Sequence, residues 1–149
     1  MTSPRLRLAS RLAALERFKE ERLRQELAGA HHEAQRAKQH QQEWEVELEH
    51  IEDIRLSALR ASKADLATYG LYTELSATTE QRLRVSMAVT VAADEMVEQK
   101  TVAWKAGNAR YESSRERSDR LADEAVREDT KKHHVDAMDL WLAQRMWLS

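Results

Sequence analysis

The side chains of this sequence best suited to chemistry are two histidine pairs, His31-His32 and His133-His134, and a tryptophan-rich end in which Trp141 and Trp147 flank Arg145. Imidazole is the usual metal ligand and proton carrier near neutral pH. Neighbouring residues on a helix diverge by about 100°, however, so neither histidine pair converges on an ion as an i, i+4 pair does. Both pairs therefore read as solvated helix faces. No cysteine is present, which removes disulfides, thiolate metal sites and thiol nucleophiles. There is no HExxH, no glycine-rich phosphate loop and no nucleophile elbow. Catalytic, cofactor-binding and metal-binding residues are each expected to be none, and the chain is expected not to be an enzyme.

The elements that position these residues are helical. Charged residues make up 34% of the 149, aromatics only 5%, and there are three glycines and a single proline, so the punctuation for more than one or two turns is missing. Ala, Leu, Glu, Gln, Lys and Arg dominate, the strongest helix formers. A hydrophobic fraction of 42%, regularly spaced, argues against disorder. No apolar run approaches a membrane span. The Arg-rich N-terminus lacks an apolar core and runs into Glu16, Glu20 and Glu21, so it reads as mature helix. Net charge is −2, and basic and acidic residues interleave through 110–132, which disfavours nucleic acid as a partner. The basic start and the acidic run from Glu43 to Asp53 read as solvated faces.

Ser3-Pro4 is a helix start, an N-cap followed by proline in the first turn. From Leu23 the residues Leu27, Ala30, Ala34, Ala37, Gln41, Trp44, Leu48 and Ile51 follow at alternating steps of four and three, the heptad of a left-handed coiled coil. Upstream, Leu8, Leu12 and Leu15 carry an apolar stripe whose step through Lys19 to Leu23 predicts a stutter. Ala30 to Gln41 offers a small, polar seam, expected to be the weakest part. A second heptad runs through Ala93, Val97, Lys100, Trp104, Gly107, Tyr111, Ser114, Ser118, Leu121 and Ala125, and on through Glu128 to Met146.

Between them Ser62 with Asp65 resembles a capping box, and Ser76, Thr78 and Thr79 before Glu80 offer another start. The pattern predicts an all-α fold, a single coiled-coil domain: helix 1 over about 4–60, a bend with a short helix (62–77) over about 61–78, and helix 2 over about 79–147, packed as an antiparallel coiled-coil hairpin. Folding about residue ~68 brings Trp44 to about 92–97, His31 to about 105 and residue 4 to about 133, at ~1.5 Å per residue. The last dozen or so residues then overhang, exposing Met138, Leu140, Trp141, Leu142, Met146, Trp147 and Leu148. Trp44, Trp104 and Tyr111 belong to the seam. Trp141 and Trp147 lie beyond it, and tryptophan and arginine are common interface anchors.

These residues carry a family resemblance. In the bend, Asp65-Leu66-x-x-Tyr69-x-x-Tyr72-x-x-Leu75 is similar to the mid-chain pattern of the FliJ/YscO family, small coiled-coil stalk proteins of flagellar and injectisome type III export. The basic first helix, Trp104, Glu116-Arg117 and Leu121 are similar to that family too, over nearly the full chain. Asp136-Ala-Met-Asp139 stands where members often carry an acidic pair, and the tryptophan-rich terminus departs from them. The resemblance implies a cytoplasmic protein at the base of a membrane-embedded secretion apparatus, with a slight lean to the injectisome. It also implies that the paired helix ends enter a hexameric export ATPase, that the chain contacts the cytoplasmic domain of the export gate, and that export chaperones are further partners. The ATPase-docking candidates are Arg5, Arg7, Arg11, Trp141, Arg145 and Trp147. The gate-docking candidates are Tyr72, Leu75, Thr79 and Leu83, which recur on one helical face. The alternatives are a generic cytoplasmic coiled-coil adaptor or scaffold and an export chaperone escort.

Overall fold

The computed structural model describes residues 3–61, 63 and 65–148. Among them the secondary structure is two helices, α1 (Pro4–Arg60) and α2 (Leu66–Leu148), packed against each other as an antiparallel hairpin. No described helix is long and apolar enough to cross a membrane.

Both helices start on a side-chain cap. Ser3 Oγ accepts from Leu6 N–H at 3.2 Å and Ser3 O from Arg7 N–H at 3.1 Å, as Ser3-Pro4 leads one to expect. Asp65 caps α2: its Oδ1 accepts from Thr68 N–H at 3.0 Å and its carbonyl from Tyr69 N–H at 2.9 Å. The Thr68 hydroxyl also donates to Asp65 Oδ2. Ser62, the expected cap partner, lies outside the described residues. The expected short helix is instead the beginning of α2, which runs on through Ser76 and Thr79 without a break. The Thr73 and Thr78 hydroxyls donate to the carbonyls of Tyr69 and Glu74, one turn back (2.8 and 3.1 Å). Hydroxyls spent this way sit inside a helix rather than starting one.

The contacts divide the chain into two units. One, Arg24–Ala103, contains the connection. Its inward residues include Ala30, Ala37, Trp44, Ile51 and Ala58 on α1 and Tyr72, Ser76, Thr79, Leu83 and Ser86 on α2; Ala30, Ile51, Ala58, Ser76, Thr79 and Ser86 are buried. Glu52 joins the strands of this seam: one carboxylate oxygen accepts from the Ser76 hydroxyl, the other from the Arg55 guanidinium at 2.7 Å. That guanidinium also lies 5.7 Å from the Tyr69 ring centroid. Further along, Lys100 Nζ reaches Glu26 Oε2 at 3.3 Å.

The other unit is Met1–Leu23 with Trp104–Ser149. Its inward residues on α1 are Leu6, Ala9, Ala13, Glu16, Glu20 and Leu23, an unbroken continuation of the heptad. The expected stutter is therefore absent, and Leu8, Leu12, Leu15 and Phe18 face outward, Leu8 at 71% exposure. The cause lies on the opposite helix. Trp104 and Tyr111 occupy space, so alanines and a hydrogen-bonding glutamate face them; the Trp104 indole N–H donates to Glu20 Oε1 at 3.0 Å. Gly107, with no Cβ, lets Leu23 approach so closely that an added Cβ would lie 2.4 Å from Leu23 Cδ1.

The pairing register also differs from expectation. Trp44 meets Arg82, whose guanidinium lies 5.2 Å from the indole centroid, rather than residues 92–97. With α2 starting at Leu66 the fold point moves back toward the connection. Each residue of that shift counts twice in an antiparallel pair, giving a change of about three helical turns. The overhang grows accordingly: every residue from Val126 to Leu148 is exposed.

Candidate docking surfaces

In the first turns of α1, Arg5, Arg7 and Arg11 are all exposed. Arg5 lines a groove of about 230 Å³ with Leu8, Leu12, Ser114, Arg117 and Leu121. It therefore sits beside residues 114–121, and not beside 126–132 as the expected register required. A second groove, nearer the start of α1, joins Ser3 and Leu6 to Ala122, Ala125, Val126 and Lys132. These are shallow surface grooves; the first is flanked by leucines and arginines, and the second carries Glu128 and Asp129 beside Lys132.

The tail of α2 carries the remaining ATPase-docking candidates. Arg145 lies one turn from Trp141, its guanidinium 5.0 Å from the ring centroid, so these two form one amphipathic knob. Trp147 stands apart at 92% exposure, beside Met146 and Leu148, which are exposed as well. Large apolar side chains exposed together mark an interaction surface more often than chance. The structure thus joins Trp141 to Arg145 and leaves Trp147 and the α1 arginines separate from them.

The four gate-docking candidates do not share one surface. Thr79 is 4% exposed and lies inside the seam, while Tyr72 and Leu83 are half-buried along its edge. Leu75 alone of the four is open to solvent, with Leu71 one turn before it also exposed. The face read as outward from its period is the seam itself, because the seam runs into this segment without the expected break.

His31, His32 and His134 are exposed; His133 Nε2 lies 3.9 Å from Asp129, and His40 Nδ1 lies 3.2 Å from Glu43. Among the described residues no three His, Asp or Glu side chains converge as a metal-ligand set. Two features escaped the sequence reading. One is the outward stripe Leu8, Leu12, Leu15 and Phe18. The other is an apolar groove of about 390 Å³ between Ala37, His40 and Trp44 on α1 and Val85 and Val89 on α2. The thin Ala30–Gln41 seam signalled this groove, since alanines leave the space beside Trp44 unfilled. Compared with known proteins, the chain matches no family model, no curated protein and no solved structure.

Proposed function

We propose that this chain is the central stalk and regulator of a type III protein export apparatus, with the injectisome slightly favoured over the flagellum. In this reading its helix ends enter a hexameric export ATPase, and the connection end meets the cytoplasmic domain of the export gate. The protein does no chemistry of its own and works at the cytoplasmic base of the secretion machine. The observation that supports this most is the end of α2, where Trp141, Leu142, Met146, Trp147 and Leu148 are all exposed. An apolar helix end suits a ring with an apolar collar, where burial supplies affinity and cations such as Arg5, Arg7, Arg11 and Arg145 steer entry past acidic loops. At the gate, Leu71 and Leu75 are the side chains available for contact.

The test is stimulation of the export ATPase. Ending the chain after Val135 removes, among the described residues, only exposed ones, so the hairpin is expected to keep its melting temperature while stimulation is lost. Trp141→Ala with Trp147→Ala is expected to weaken binding at least about tenfold, since each buried tryptophan anchor contributes ~2 kcal/mol or more. Added salt is expected to slow association more than it speeds dissociation. Full stimulation by the shortened chain would overturn the docking role of the tail.

A coiled-coil adaptor is the second reading, favoured by the outward stripe Leu8, Leu12, Leu15 and Phe18, which a ring gripping only the α2 tail leaves uncovered. An adaptor would bind its partner through this stripe with no change in ATPase rate.

A further inference from the structure

Within the unit Arg24–Ala103, α2 has a stretch that solvent exposure does not suit. From Val85 to Ala93 it carries no charge on any side. Ser86, Thr90 and Ala93 turn toward α1 and Val85 and Val89 border the groove beside Trp44, while Met87, Ala88, Val91 and Ala92 are exposed away from it. A helix that is apolar all round is normally covered all round. Helix propensity does not account for the composition either, since valine and threonine are among the weaker helix formers.

The charges that bound this stretch define what covers it. Arg84 stands at its N-terminal end and Asp94 and Glu95 at its C-terminal end, all exposed. Arg84, Ala88, Val91 and Glu95 form one line down the outer face, at steps of four, three and four, which is coiled-coil spacing; in the same register Asp94 lies opposite Val85. Read backwards, the line is complementary to itself. When a second copy lies antiparallel, Arg84 meets Glu95, Ala88 meets Val91, and each contact recurs by two-fold symmetry about a point between Val89 and Thr90. Met87 then packs against Ala92 of the second copy, large against small. Ala88 and Ala92 leave room for interaxial distances near ~8 Å. Continued outward, Gln81 meets Glu98 and Ala77 meets Val102, so no like charges oppose each other. A parallel pair would set Arg84 on Arg84 and Glu95 on Glu95.

We infer that this face of α2 is a homodimer interface: two copies of the chain pair antiparallel and isologously through residues 77–102. The contact is ~39 Å long at 1.5 Å per residue, short of a standard-size interface, so the dimer is reversible and concentration-dependent. Within the chain Arg84 reaches Glu80 at 3.9 Å, an exposed pair worth too little to compete.

Charge reversal tests both the face and the direction. Arg84→Glu opposes glutamates at both ends of the dimer and Glu95→Arg opposes arginines, so each variant alone is expected to dimerise about tenfold more weakly or worse in sedimentation equilibrium. Mixed in equal amounts, the two variants regain opposite charges at both ends and are expected to form a heterodimer. Helicity by circular dichroism is expected to match the wild type throughout. A spin label at Ala77 of the wild-type chain gives an independent reading: the two labels lie roughly 38 Å apart in the antiparallel pair, against ~10 Å in a parallel one. A wild-type monomer at about 1 mM, a mixture that stays monomeric, or a short label distance would each overturn the inference.

Discussion

The Trp104 indole donates its N–H to Glu20 Oε1 at 3.0 Å, at a seam position where Glu20 is 2% exposed. A carboxylate in a coiled-coil seam is tolerated because its hydrogen bonds are made within the protein. Trp104→Phe keeps the ring but removes the donor. It is expected to lower the urea unfolding free energy by about 0.5–1.5 kcal/mol, the net contribution of one hydrogen bond. A change below about 0.5 kcal/mol would mean that Glu20 is satisfied without the indole.

Gly107 is a second point of close approach. Its replacement by alanine gains helix propensity of about 1 kcal/mol and forces Leu23 Cδ1 to move from 2.4 Å away. Overpacking of this kind costs about 1–3 kcal/mol, so Gly107→Ala is expected to be neutral to destabilising. In a Leu23→Ala background the clash is gone and the same change is expected to stabilise. A double-mutant cycle by thermal melting measures the difference, and additivity of the two changes would contradict the contact.

The cap of α2 predicts a pH dependence. The hydroxyl of Thr68, and then its backbone N–H, hold the Asp65 carboxyl below the ordinary aspartate value. Because the folded value is the lower one, the stabilisation is present above the unfolded pKa of about 3.9 and fades as pH falls through the folded value. Asp65→Ala is therefore expected to melt earlier than the wild type at neutral pH and to converge with it in acid. A melting difference that persists unchanged at low pH would assign the effect to something other than the ionised cap.

Much of the architecture was legible before the structure. The heptads from Leu23 to Ile51 and from Ala93 to Ala125 lie on the seam, as does Trp104, and Ser3-Pro4 starts α1. The errors have a common cause, which is that apolarity outweighed phase. Leu8, Leu12 and Leu15 look like a seam, yet Ala9, Ala13, Glu16 and Glu20 keep the heptad and face the bulky Trp104 and Tyr111. Likewise, the hydroxyl-rich Ser76–Thr79 segment reads as a helix start, but its hydroxyls bond inward. The outer face of the Val85–Ala93 stretch was illegible because a single heptad reading assigns each helix one face. Of the docking candidates, the exposed Trp141, Arg145 and Trp147 were legible from the overhang. Thr79 was misread because the segment's register depends on where α2 begins.

The antiparallel pairing has a consequence for how the protein is made. Ser76 follows its partner Glu52 by 24 residues, whereas Trp104 follows Glu20 by 84. On a ribosome adding ~5–20 residues per second, Glu20 therefore waits roughly 4–17 s for its partner, and the start of α1 waits longer. Through that interval Leu6, Ala9 and Ala13 have no α2 beside them. The Arg24–Ala103 unit is fully synthesised first, by way of shorter loops.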